Sequence, residues 1–182
     1  AQRPYRLVTL LSTQPAQGKT WVGQRLRDQF ARAGHRVLHL HPPLDEGEAA
    51  PEGTVAYPVG WDFADVPQIN GLFENIPDHS AEEFDCIFLE LPPLLDAPLP
   101  VHLVGQSDLS LLVVHADSVW KTADGALLAR YRKATQRPVM AVLNAVEPDF
   151  LGGLLGRMPR RKKGKPAPAA LPPKPAPVAE PA

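Results

Sequence analysis

The residues best suited to chemistry lie near the start of the chain, in Ser12-Thr13-Gln14-Pro15-Ala16-Gln17-Gly18-Lys19-Thr20. They follow a short apolar run, Arg6-Leu7-Val8-Thr9-Leu10-Leu11, which reads as a buried strand, and they precede a helical pattern. At such a junction the backbone N–H groups of a helix N-terminus lack partners, and the positive end of the helix dipole lies beside them. A phosphate satisfies both. Lys19 would then reach the β- and γ-phosphates, and the Thr20 hydroxyl would bind Mg²⁺. Gly18 leaves no side chain between backbone and phosphate, and Pro15, Ala16 and Gln17 complete the wrap. The formal pattern G-x-x-x-x-G-K-[ST] has its first glycine where Thr13 stands, so the match is incomplete. Position at a strand–helix junction, more than spelling, favours a P-loop. The plainer alternative is a surface loop with a solvated lysine.

The elements that would hold this loop follow from periodicity. From Thr20 onward, Val22, Leu26, Phe30 and Ala33 recur at helical spacing, and Gly34 is a natural stop. Arg36 to His41 reads as a second strand, closed by Pro42-Pro43, which completes a right-handed βαβ unit. Residues 44–79 are less regular, with an edge strand expected over Val55–Val59 and a short helix over Val66–Phe73. Asp85–Glu90, Leu109–Val114 and Val139–Asn144 are further apolar strands, with a helix over Val119–Thr135. Near-continuous apolar strands alternating with helices predict a doubly wound, mostly parallel α/β sheet of the P-loop NTPase type, covered on both faces.

Charge divides the chain. Residues 1–156 carry 12 Lys/Arg and 19 Asp/Glu, whereas residues 157–182 carry seven Lys/Arg and only Glu180. The expected organisation is therefore one domain over 1–156 and a basic, proline-rich, disordered tail over 157–182. An acidic body argues against nucleic acid as a partner. No run approaches the roughly 18 apolar residues of a membrane span. One cysteine, Cys86, precludes an intrachain disulfide and points to a reducing compartment. No secretory signal is visible. Because it opens on Ala1, the chain is expected to be a piece of a longer one.

Taken together, Ser-x-x-Pro-x-x-Gly-Lys-Thr, Trp21-Val22 and Gly34-His35-Arg36-Val37-Leu38 resemble the cytoplasmic ATPase domain of bacterial tyrosine autokinases. So does Phe84-Asp85-Cys86-Ile87-Phe88-Leu89-Glu90-Leu91-Pro92-Pro93, which is similar to the family's Walker B strand. Asp96-Ala97, Asp108 and Val142-Leu143-Asn144 stand at equivalent spacings, so the resemblance spans residues 5–146. It implies ATP or ADP with Mg²⁺ as ligands, Glu90 as the Walker B acid and second magnesium-binding group beside Thr20, and Asn144 near the base. It also implies a homo-oligomer on the cytoplasmic side of the bacterial plasma membrane, tethered to a polysaccharide copolymerase or to a transmembrane region of its own. Beside such a membrane the Arg160–Lys165 cluster would be drawn to anionic lipid at about 1 kcal/mol per charge. A partner's aromatic groove is the other docking site open to the proline-rich stretch.

The departures are as informative. Where the family's second strand ends in aspartates, this chain has His41 and Pro43, and imidazole is a poor ligand for Mg²⁺. The Walker B aspartate is Glu90, one methylene longer. None of Tyr5, Tyr57 and Tyr131 lies in the tail, so the family's C-terminal tyrosine cluster is missing. Phosphoryl transfer depends on placing metal and charge at the transferring group, so kinase activity is expected to be weak or lost while binding persists. Rival readings are an active autokinase or ATPase using Glu90, a partitioning-type ATPase (which lacks here its usual second loop lysine), and an interaction module without nucleotide.

Other candidates read as structural. His39 and His41 share a strand face without a third ligand, which favours packing over a metal site. Cys86 reads as a core residue and Asp117-Ser118 as a helix cap. The charges at Asp45-Glu46-Gly47-Glu48 and Glu82-Glu83 read as solvated. Trp61 and Trp120 are expected to be buried, and Trp21 to pack the first helix onto the sheet.

Overall fold

Apolar strands without alternation need cover on both faces, and the central strands of the parallel sheet they form here have it. In a computed structural model, residues 5–44, 50, 52–73 and 80–147 are described. Six strands, β1 (Arg6–Leu11), β2 (Val37–His41), β3 (Thr54–Ala56), β4 (Cys86–Glu90), β5 (Leu109–His115) and β6 (Val139–Asn144), pair in the order β3-β2-β4-β1-β5-β6. Every pairing is parallel, with Leu10 opposite Glu90 and Leu11 opposite Leu112. Helix α1 (Lys19–Arg32) links β1 to β2. Helix α3 (Thr122–Thr135) links β5 to β6, and a single turn, α2 (Val101–Val104), precedes β5.

Successive residues of each strand point to opposite faces, so the core has two parts. On one face Leu10, Cys86, Phe88, Leu111 and Val113 pack with Val22 of α1. On the other, Leu7, Leu11, Leu40, Ile87, Leu89 and Leu112 pack with Tyr131 of α3 and with Leu103 and Val104. The connection leaving β1 runs toward β2, whereas the one leaving β5 runs the opposite way, toward β6. β1 and β5 are neighbours, so a crevice opens between their C-terminal ends, where open α/β sheets bind ligands. At the other end of the sheet Arg36 and Asp85 clamp β2 to β4. The Arg36 guanidinium lies 2.7 Å from the carboxylate and holds the Asp85 pKa down to about 2.

All six expected strands form, but several local readings need correction. The segment read as a helix over Val66–Phe73 holds only a 3₁₀ turn, Ile69–Leu72, with another, Phe63–Asp65, just before it. Pro67 separates them, since the residue before a proline is driven out of the helical region (Val66 ψ 113°). The edge strand stops at Ala56, short of Pro58. Helix α3 begins at Thr122 rather than Val119, because the Asp124 carboxylate accepts the Lys121 N–H at 2.6 Å and fixes the helix start there. Asp117-Ser118 therefore caps nothing. The tryptophan readings fail too: Trp61 is 93% exposed, and Trp120 is exposed as well. Trp21, 54% exposed, lies under the Arg25 guanidinium instead of against the sheet. Cys86 is buried as expected, and burial pushes its thiol up to about 11, leaving it inert as a nucleophile. The acidic run at 45–48 and the tail over 157–182 lie outside the described residues.

Ile87 sits fully buried at the middle of the sheet. Ile87→Ala should lower stability by about 2–5 kcal/mol in denaturant unfolding, with an unchanged slope. A smaller loss would mean that β4 is not central.

Candidate functional site

The crevice is built from four strand ends. The loop leaving β1 turns into α1 at Gly18, whose φ of 84° lies in the left-handed region. The backbone angle favours glycine, and a methyl group there would have to displace the Asn144 side-chain amide. Ala16 is left-handed as well, at φ 56°, which curls the loop back upon itself. Within it, the Gln17 amide donates to the Pro15 carbonyl at 3.1 Å, and the Ser12 hydroxyl donates to the Gln14 carbonyl at 2.7 Å.

Neighbouring strands hold the loop in this shape. Gln17 Oε1 accepts from the His115 N–H and the Ser118 hydroxyl, each at 2.8 Å, which ties the loop to the end of β5. Asn144 Nδ2, at the end of β6, donates to the Gln17 carbonyl at 3.0 Å. Gln14 donates to Asp124 Oδ2 at 3.0 Å, linking the loop to the first turn of α3. After β4, the Leu94 and Leu95 amides donate to the Ser12 and Thr13 carbonyls at 2.9 and 3.1 Å.

Lys19 is buried, and its ammonium folds back into the loop, donating to Ser12 Oγ at 2.9 Å with Glu90 Oε1 3.9 Å away. Burial lowers its pKa, opposed by the Glu90 and Asp96 carboxylates. The Thr20 hydroxyl donates to Glu90 Oε1 at 3.0 Å. Glu90 is held from behind by the Tyr57 hydroxyl, which donates to its carbonyl at 2.6 Å. Its other oxygen, Oε2, is buried, accepts no hydrogen bond, and lies 3.5 Å from His39 Nε2. Both ring nitrogens of the fully buried His39 lack hydrogen bonds. His41 spends Nδ1 on the Pro42 carbonyl at 2.7 Å and leaves Nε2 without one.

The structure thus brings Gln17, Gly18, Lys19, Thr20, Glu90 and Asn144 together, with Pro15 and Ala16 forming the turn. Asn144 meets the loop's own backbone at Gln17. Sequence reasoning passed over Ser12, Tyr57, His115 and Ser118. Only Ser12 carried a local signal, as the first residue of the loop; the others are joined to it by register between distant strands. His39 was read as strand-end packing, and it is buried against Gly23, where a methyl group would come within 2.6 Å of the ring.

This donor set suits magnesium carried by phosphates better than a free-standing ion. Oxygen is offered by the Thr20 hydroxyl and by Glu90, whose Oε2 is a buried acceptor with spare capacity, while the imidazoles are poor ligands for Mg²⁺. Among the described residues no cluster of three or more His, Cys, Asp or Glu is arranged to hold a metal.

The all-parallel sheet and the turn from β1 into α1 have the fold of P-loop NTPase-type domains, and comparison with solved structures agrees. The chain is similar to the kinase domain of the Escherichia coli tyrosine kinase ETK: TM-score 0.56 and 17% identity, over 81% of this chain and 70% of that one. It resembles the chimerical protein CapA2B2 at TM-score 0.55 and 16% identity, over 78% and 76% of the two chains. A plasmid partition protein from Borrelia burgdorferi gives TM-score 0.55 at 13% identity, over 85% and 86%. At these identities the likeness establishes the fold alone, a parallel α/β sheet of the P-loop type. No protein-family profile matches the sequence, and no curated protein matches it significantly.

Gly18→Ala should therefore damage the loop specifically. A left-handed angle forced on alanine costs about 1 kcal/mol, and the methyl group must also displace Asn144. Amide exchange at Gln17–Thr20 should quicken while exchange in β4 and β5 stays slow; unchanged exchange at the loop would refute the packing described here.

Proposed function

We propose that this chain is a nucleotide-binding regulatory domain that takes ATP or ADP, with Mg²⁺, in the loop Pro15–Thr20. The observation that supports this most is the prepared loop itself. Glycine stands at the left-handed turn, amides gather at the start of α1, and a buried ammonium waits on a weak hydroxyl partner that a phosphate oxygen would outcompete. Burial lowers the Lys19 pKa and also strengthens the attraction of its charged form for a polyphosphate, while the Glu90 carboxylate opposes the lowering. Thr20 and Glu90 would hold Mg²⁺ on the outer side of the phosphates. Magnesium neutralises charge on the phosphoryl group when bound; the chain's own residues bind and orient.

Phosphoryl transfer is weak or absent in this reading. The end of β2, whose His39 lies 3.5 Å from Glu90, offers imidazole nitrogens and Pro43 in place of carboxylates, so one oxygen ligand and one orienting base would be missing. Following the resemblance to bacterial tyrosine autokinases, the domain would act in exopolysaccharide synthesis or export, on the cytoplasmic side of the plasma membrane. Its partners would be other copies of itself and a polysaccharide copolymerase, or a transmembrane region of its own chain, with the basic tail held near anionic lipid. Among the described residues no helix is long and apolar enough to cross a membrane, so any tether would lie elsewhere. Nucleotide occupancy would alter assembly between copies and so influence polymer length.

One observation favours a second reading, an active autokinase or ATPase: Glu90 hydrogen-bonds Thr20 and lies beside Lys19, where a Walker B acid belongs.

Titration calorimetry of ATP with Mg²⁺ should show binding that Lys19→Ala weakens roughly 10- to 100-fold, the worth of a charge-assisted hydrogen bond. Equal binding by both proteins would remove the site. Glu90→Gln should bind ADP normally without Mg²⁺ yet lose the gain that Mg²⁺ confers. After incubation with ATP, phosphotyrosine should be undetectable; a signal abolished by Lys19→Ala would establish the enzyme instead.

A further inference from the structure

Beside the loop, two buried polar atoms face each other without a bond. His39 is fully buried on β2, and neither of its ring nitrogens makes a hydrogen bond. Glu90 Oε2 is buried and without a hydrogen bond as well, and it lies 3.5 Å from His39 Nε2. Buried polar groups left unpaired are rare and destabilising, so a facing pair of them needs a physical reason. The tautomer of His39 supplies one. A bare Nε2 would set its lone pair against a carboxylate oxygen, and the proton, placed on Nδ1, would find no acceptor. With the proton on Nε2 the ring aims a donor at Oε2, and a movement of a few tenths of an ångström completes a charge-assisted hydrogen bond. The ring packs directly on the backbone of α1 at Gly23, where a methyl group would come within 2.6 Å of Nε2. His41, on the same face of the strand, is fixed the other way. Its Nδ1 lies 2.7 Å from the Pro42 carbonyl, which can only accept, so its Nε2 is bare.

We propose that His39 is a positioning residue for Glu90, donating from Nε2 to Oε2 and so aiming the carboxylate at the loop. Glu90 is one methylene longer than an aspartate, which gives its carboxylate one more bond to turn about. Two holds remove that freedom: the Thr20 hydroxyl donates to Oε1 at 3.0 Å, and His39 takes Oε2 from the opposite side. Oε1 then stays beside Thr20 and the Lys19 ammonium. A carboxylate fixed in advance gives up little freedom when a ligand arrives, so more of its contact energy appears as affinity. The positioning role rests on the reading of Glu90 as a magnesium-binding group; the tautomer of His39 does not.

Nitrogen NMR of the histidine rings in the whole 182-residue chain, without ligand, should show a proton on His39 Nε2 and, for comparison, a bare Nε2 on His41. A bare His39 Nε2 would overturn the proposal whether or not nucleotide binds. In titration calorimetry of ADP with and without Mg²⁺, His39→Leu should lose roughly tenfold of the affinity that Mg²⁺ adds, about the worth of one charge-assisted hydrogen bond. Its binding of ADP alone should match the wild type. His39→Gln, whose amide reaches the place of Nε2, should recover the loss. Leucine takes a polar ring out of the core, so the His39→Leu melt should come no lower than that of the wild type, and loss of fold cannot mimic the split. A full gain from Mg²⁺ in His39→Leu, or His39→Gln no better than His39→Leu, would overturn the proposal. A wild type that binds no ADP would remove the nucleotide reading, and the ring nitrogens would then decide the contact between His39 and Glu90 by themselves.

Discussion

The site depends on one buried cation. Lys19 is the second residue of a turn that starts at the left-handed Gly18, and its ammonium is withdrawn from water into the loop it belongs to. An ammonium group in that position is costly unless opposite charge and hydrogen-bond acceptors surround it. Here they come from Ser12 in the loop and Glu90 on the neighbouring strand, with Asp96 further off. Ser12 gives the ammonium one neutral hydrogen bond and Glu90 stands 3.9 Å away, an arrangement to which a phosphate oxygen would add a stronger partner under the proposed reading.

The sheet delivers those partners through its order. Because β4 lies beside β1 and Leu10 is in register with Glu90, the last residue of β4 emerges level with the start of the loop. Because β5 and β6 follow on the other side, His115 and Asn144, themselves opposite one another, reach the loop from behind. Gln17 gathers both contacts, one through its side chain and one through its carbonyl. A loop tied to three strands loses little further conformational freedom when a ligand arrives, so more of the contact energy appears as affinity.

How much of this the amino-acid sequence foretells varies with the range of the interaction. The strands and the loop were legible because apolar runs and the Gly-Lys-Thr junction are local signals. Helix starts were less so. Asp117-Ser118 looks like a cap, but Asp124, seven residues beyond Asp117, fixes the start of α3, and Ser118 instead serves Gln17. The tryptophans misled because an average tendency to be buried says nothing about which side of an element faces the core. The support given to Glu90 by Tyr57, and the burial of His39 beside it, arise from strands distant in sequence. They become visible only once the register is known.

The same register gives the His41 and Pro43 departures their meaning. Leu40 is in register with Leu89, so the end of β2, with His41 and then Pro43, lies beside the end of β4; under the proposed reading, imidazoles there would change which atoms meet a phosphate and leave the loop intact. Under the proposed reading, binding would rest on the turn from β1 to α1 and any phosphoryl transfer on the ends of β2 and β4, which are separable groups. The most direct test follows amide chemical shifts during titration with ADP and Mg²⁺. The largest changes should fall at Gln17, Gly18, Lys19 and Thr20, with smaller ones at Glu90 and Asn144. A loop that stays silent while shifts gather elsewhere on the sheet, or nowhere at all, would contradict the account.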